Sequence, residues 1–216
     1  MKPPTLAAQV FTANRERLRL LLPANALAVV NANDLLPTNG DATLRMQANS
    51  DLYYLTGISQ EESILVMAPD AFDEKQREIL FVREPNPHLA TWEGHKLSKE
   101  EASRISGVCQ VKWLSEFRAE FHKLMCEIEH VFLNSNEHKR AVVEVESRDA
   151  RFVCDCQARY PLHHYHRLAR LLHRLRVVKS PEEVEVIRYA CRVTGRAFRR
   201  ILRRVRPGFG EYEVEA

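Results

Sequence analysis

The nine residues Asn49-Ser50-Asp51-Leu52-Tyr53-Tyr54-Leu55-Thr56-Gly57 constrain this chain more than any other stretch. Asn49, Ser50 and Asp51 each carry a short side-chain oxygen that can accept from the free N–H groups of a first helical turn. Leu52, Tyr53, Tyr54 and Leu55 are bulky and largely apolar, and Gly57 can close a short helix in a left-handed conformation without a Cβ penalty. Ile64-Leu65-Val66-Met67 follows as an apolar run of strand length, ended by Ala68-Pro69-Asp70. The spacing predicts a capped single-turn helix feeding a buried strand. By local chemistry alone, this is a packing corner.

The same grammar repeats along the chain. Residues 5–21 read as an amphipathic helix with Leu6, Val10, Ala13, Leu18 and Leu21 near one stripe, stopped by Pro23. A buried strand is expected at 26–30, then a loop from Asn31 to Thr43 marked by Pro37 and Asn39-Gly40. Loops after strands often carry ligand contacts, which makes Asn33 and Asp34 candidates. Residues 78–82 pair with 64–67 as an antiparallel hairpin, and Arg83 to His88 is a proline-broken loop. Trp92, beside Glu93-Gly94 on polar chain, is not expected in the deep core. Ser98 and Glu101 fit a capping box for a helix ending at Gly107. Strands are expected at 108–111 and 131–133. Ser115 caps a helix carrying Phe117, Phe121, Leu124, Met125 and Ile128, and 147–159 is helical. The clearest helix starts at Ser180, with Pro181 in its first turn and Glu183 closing the box. Its stripe runs from Val184 through Ile187, Cys191, Phe198 and Ile201 to Val205, and Pro207-Gly208 stops it before another helix begins at Gly210.

Composition removes several function classes. With 216 residues the chain can hold one large domain, or a medium domain and part of another. The net charge of +3, from 32 basic and 29 acidic residues, is too balanced to argue for nucleic acid. Arginines do crowd the C-terminal quarter, from Arg167 to Arg206, and read as a solvated or protein-covered helix face. No apolar run reaches about 18 residues, and the first residues hold no apolar leader segment, so neither a membrane span nor export is expected and the location reads as cytoplasmic. The five cysteines have no metal or redox spacing and read as reduced thiols. His163-His164-Tyr165-His166 is read as solvated surface, not a metal site.

The nine-residue stretch resembles the hallmark of the N-terminal domain of aminopeptidase P, within the creatinase/prolidase superfamily. Phe81-Val82-Arg83 through Trp92-Glu93-Gly94, and Leu175-Arg176-Val177-Val178-Lys179-Ser180-Pro181-Glu182-Glu183, match the same family in order and approximate spacing. Where that family often has an aromatic-Arg-Gln run before the Asn-Ser-Asp, this chain has Met46-Gln47-Ala48, with the arginine at Arg45.

The resemblance implies an α/β fold, a mixed β-sheet flanked by helices in ribonuclease H-like layering. Residues 1–175 would form the N-terminal domain, and 176–216 the linker and first helix of a pita-bread metallopeptidase domain. It also implies two Mn2+ ions in the whole enzyme, held by two aspartates, a histidine and two glutamates. All five lie downstream of the helix at Ser180, so no residue here is expected to ligate a metal or act catalytically, and the chain alone is expected to be inactive. Substrates would be short peptides with proline in second position, the assembly a homodimer or homotetramer, and neither nucleic acid nor membrane a partner. In the family a tryptophan at the place of Trp92 approaches a neighbouring subunit's substrate site. Asn49, Ser50, Asp51, Tyr53, Tyr54 and Gly57 are expected to be structural. Two alternatives share the resemblance: the N domain of a prolidase- or creatinase-like hydrolase, and a non-catalytic peptide- or protein-binding module.

Overall fold

Every residue of Ala26–Asn31 is buried, and the sheet is built outward from this strand. The computed structural model describes residues 4–86, 90–140 and 144–215. Among them the strands are β1 (Ala26–Asn31), β2 (Ile64–Met67), β3 (Glu78–Val82), β4 (Gln110–Trp113), β5 (His130–Leu133) and β6 (His164–Arg167), in the spatial order β4-β3-β2-β1-β5-β6. β2 is antiparallel to β1 and β3, while β3–β4, β1–β5 and β5–β6 are parallel pairs. The helices are α1 (Ala8–Arg19), α2 (Ser50–Thr56), α3 (Ala90–Glu93), α4 (Lys99–Ser106), α5 (Phe117–Met125), α6 (Arg148–Arg159), α7 (Leu168–Val177), α8 (Pro181–Leu202) and α9 (Glu211–Glu215).

Successive side chains leave a strand on opposite sides. Ala26, Ala28 and Val30 of β1 join Leu65 and Leu80 in a core with Leu18 of α1, Leu52 of α2, Ala102 of α4 and Leu172 of α7. Leu27 and Val29 join Ile79 and Phe81 in a second core with Phe121 and Leu124 of α5 and Cys156 of α6. With helices on both faces, β1 must be apolar at every position, which is why it reads as an unbroken run and not as an alternation. The mixed sheet and its flanking helices match the expected architecture, including the antiparallel β2–β3 pair and the capping box at Ser98 and Glu101.

Five local expectations need correction. The buried face of α1 is Phe11, Asn14, Arg15 and Leu18, and Ala13 is exposed. Its polar members are buried because distant carbonyls satisfy them. Asn14 Nδ2 donates to Tyr54 O at 2.8 Å, and Arg15 Nη1 donates to Leu55 O at 2.7 Å and Ser106 O at 2.8 Å. One guanidinium thus neutralises the carbonyl ends of both α2 and α4, with Glu78 as its counter-ion at 2.5 Å. Ser115 does not cap α5. It lies in a 3-10 turn, Leu114–Glu116, where Glu116 accepts from Trp113 N at 3.0 Å. β4 sits two residues later than the apolar run at 108–111. The histidine-rich segment is β6, and it leads into α7, neither of which periodicity marks. Finally, α8 has its predicted capping box at Ser180 but ends at Leu202, leaving Val205 beyond it.

Of the broken loop 83–88 and the final helix, Pro87, His88 and Ala216 lie outside the described residues. Two compact units are distinguished, one of Ala7–Val177, the other of Val178–Ala216 with the first residues of the chain. No helix among the described residues is long and apolar enough to cross a membrane. All five cysteines are free, and burial pushes the Cys156 thiol up to about 12.

Candidate functional site at the carboxyl ends of the parallel strands

The hallmark stretch folds as the sequence predicts, with one more turn. Asn49 Oδ1 accepts from Asp51 N at 2.9 Å and Leu52 N at 3.1 Å, so one short amide caps α2. Gly57 ends the helix at φ 70°, donating to Tyr53 O at 2.7 Å. Tyr54 is buried, and its hydroxyl accepts from Arg17 at 2.8 Å and donates to Leu175 O at 3.5 Å. Tyr53 is more exposed and meets Phe11 edge-on at 6.0 Å between ring centroids. These contacts make Tyr53, Tyr54 and Gly57 parts of the packing.

The polar head of the motif does something different. Capping aims it at the carboxyl ends of the parallel strands β1 and β5, where open α/β sheets tend to form clefts. Asp51 Oδ2 accepts from Asn134 Nδ2 at 3.0 Å, just past β5. Asp51 Oδ1 pairs with Arg176 at the end of α7, and the same guanidinium donates to Ser50 Oγ at 3.1 Å and lies 5.9 Å from the Tyr54 ring centre. Asn49 Nδ2 donates to Asn33 Oδ1 at 3.2 Å. Beside them Asn31, the last residue of β1, donates to Asp149 Oδ1 at 2.9 Å. The Asp149 carboxyl is pushed up to about 6, chiefly by burial, against the opposing Asn31 hydrogen bond. The side-chain oxygens of Asn31 and Asn134 are buried and accept no protein hydrogen bond.

A cleft of about 930 Å³ opens over this network, lined by Asn49, Asp51, Asn134, Asp149, His173 and Arg176 among others. Its walls mix carboxylate, amide and guanidinium groups, which suits hydrogen bonding and charge pairing with a polar ligand or another polypeptide segment. At its exposed rim Ser135 Oγ donates to Glu137 Oε1 at 3.3 Å, and Arg167 Nε donates to the same carboxylate oxygen at 2.7 Å. Among the described residues no group of three or more His, Cys, Asp or Glu side chains is arranged to hold a metal ion.

Sequence reading singled out Asn49, Ser50 and Asp51 as structural and Asn33 as a loop candidate, but not Asn134 and Arg176, which bind Asp51, nor the Asn31–Asp149 pair beside them. Arg176 lay in a stretch that carried the resemblance, and an asparagine directly after a strand-length run was the available signal for Asn134. The other loop candidate, Asp34, pairs with Arg151 at 2.8 Å. Trp92 stands apart. It lies on α3 after β3, 85% exposed, next to Gly94 at φ 76°.

Residues 11–132 match the family model described as aminopeptidase P, N-terminal domain. The Xaa-Pro aminopeptidase of Escherichia coli K12 is 26% identical over 220 residues, covering 97% of this chain and 48% of that protein. The human Xaa-Pro aminopeptidase 3 is 24% identical, covering 90% of this chain and 40% of the relative. A Bacillus anthracis structure solved as an aminopeptidase P superposes with a TM-score of 0.86 at 26% identity over 97% of this chain and 50% of that one. The Pseudomonas aeruginosa aminopeptidase superposes at 0.81 with 25% identity over 98% of this chain and 48% of that one. The chain thus spans about half the length of the relatives it matches. Matched across more than half its length by the family model, this chain belongs to the aminopeptidase P N-terminal domain family.

Proposed function

We propose that this chain serves an Xaa-Pro aminopeptidase as its N-terminal, cleft-shaping and oligomer-forming part, in an enzyme that removes the residue preceding proline from short peptides. The observation that carries the reading is the match of nearly the whole chain to about half of each Xaa-Pro aminopeptidase relative. Among the described residues no three or more His, Cys, Asp or Glu side chains are arranged to hold a metal ion. The two Mn2+ ions are assigned to the half of the relatives that this chain does not span. Residues 176–216 are assigned to the linker and first helix of that half.

Trp92 is the residue we assign to the substrate side. An indole held 85% exposed on a short helix costs solvation unless something covers it. A neighbouring subunit's cleft is the cover that the family suggests. The test uses the protein extended through the catalytic half, assayed with manganese on Xaa-Pro peptides of two and five residues. Trp92→Ala is expected to lower kcat/KM about tenfold on the longer peptide, mainly through KM, with the oligomer intact by light scattering. Unchanged kinetics on both peptides would remove Trp92 from the substrate side. Absence of Xaa-Pro hydrolysis by the unsubstituted protein would remove the whole reading.

A further inference from the structure

The edge strand β6 brings two imidazoles, His164 and His166, beside a third, His130, at the start of the neighbouring strand. His164 and His166 are two residues apart, so their side chains leave the same side of the sheet. On β5 their Cα partners are His130 and Phe132. His130 Nδ1 and His166 Nε2 lie 3.1 Å apart. The His166 ring stacks on Phe132, with centroids 4.7 Å apart and planes 21° from parallel, and Phe132 is itself buried. One face of the His166 ring is therefore packed while the residue stays exposed to solvent. The His164 ring lies 5.4 Å from that of His130.

We propose that His130 and His166 form a two-imidazole chelate for a borderline divalent transition metal, Cu2+, Ni2+ or Zn2+. Geometry is the first support. Two nitrogens bound to one ion at about 2.0–2.1 Å are separated by about 3.3 Å in a tetrahedral site and about 2.9 Å at a right angle. The observed 3.1 Å falls between these values. In the metal-free pair one ring donates to the other, because a neutral imidazole offers a lone pair at only one nitrogen. Ligation requires the donor ring to change tautomer and the rings to turn by about 35–45°, so that both lone pairs point at one ion off the N···N line. His166 is exposed and His130 half-buried, which leaves room on the solvent side for that turn. Water would complete the coordination, since the described residues supply no three-ligand set.

Ligand chemistry is the second support. Imidazole suits copper, nickel and zinc, whereas manganese and magnesium favour oxygen. The site is also separate from the polar cleft. His130 opens β5 and Asn134 follows its end, about 13 Å along the strand at 3.3 Å per residue.

The test is equilibrium dialysis of the tag-free 216-residue chain against Ni2+, with bound metal counted by atomic emission. One equivalent should bind saturably. His130→Gln and His166→Gln should each weaken binding at least tenfold, while His138→Gln, an exposed histidine elsewhere, should not. Circular dichroism checks that each variant is folded. With Cu2+, electron paramagnetic resonance should show nitrogen coupling that disappears in both variants. A smaller loss in either variant, or an equal loss in His138→Gln, would overturn the proposal.

Discussion

Asp149 is the residue whose chemistry departs furthest from its ordinary range in the polar cleft. Its carboxyl is raised from 3.8 to about 6, first by burial, with the Asn31 hydrogen bond opposing. A carboxyl raised on folding binds its proton more tightly in the native state, so its charge costs stability that sets in above about pH 4 and is complete above about pH 6. As pH falls from about 7 to 4 the native state takes up the proton first, and this group's penalty disappears. A shift of this size corresponds to about 2–3 kcal/mol. Asp149→Asn removes the charge, and its amide can donate to the otherwise unpartnered Asn31 Oδ1. The variant should therefore be more stable than the parent by about 2 kcal/mol at pH 7.5 and roughly equal to it near pH 4. Urea unfolding across that range measures the difference. A constant offset, or a difference that grows toward acid, would contradict the burial argument.

At the scale of elements, α2 depends on a single close approach. Gly57 sits at φ 70°, and a Cβ there would lie 2.4 Å from the Phe11 ring of α1. Gly57→Ala should cost roughly 1–2 kcal/mol for the left-handed backbone alone, and more because the ring must move. Phe11→Leu in the same chain should recover the steric part and leave the backbone part, a positive coupling in a double-mutant cycle of urea midpoints. Additive losses would show that the ring yields freely. This glycine was legible in the sequence because a helix end is a local event, as were the caps at Asn49, Ser98 and Ser180. The strands β1, β2 and β3 were legible because burial on both faces demands continuous apolar runs. The buried face of α1 was not. Asn14 and Arg15 look like solvent residues until Tyr54, Leu55, Glu78 and Ser106 arrive from 40 to 91 positions away. Nor was β6. His-Tyr-His-Arg on an edge strand faces solvent and needs no apolar pattern, only the backbone of β5. The cleft failed for the same reason as α1, since Asp51 meets Asn134 and Arg176 across 83 and 125 positions.

For the whole molecule, these long-range contacts say where the sheet unit closes. Arg176 binds Asp51, and the carbonyl of Leu175 accepts from Tyr54, so the last turn of α7 ties the chain back to its hallmark stretch. Both ends of that tie fall within Ala7–Val177. A chain ending at Val177 should then protect its β1 amides from hydrogen exchange as strongly as the full 216 residues do. One ending at His173 loses both contacts, and hydrogen bonds to a charged group contribute about 1.5–3 kcal/mol each. Its β1 amides should exchange about tenfold to a hundredfold faster, since about 1.4 kcal/mol is a factor of ten. Arg176→Ala in the Val177 chain should reproduce most of that loss, which separates the ion pair from the mere length of α7. If the Val177 chain is itself unprotected, Arg176 is not the closing tie of the Ala7–Val177 unit.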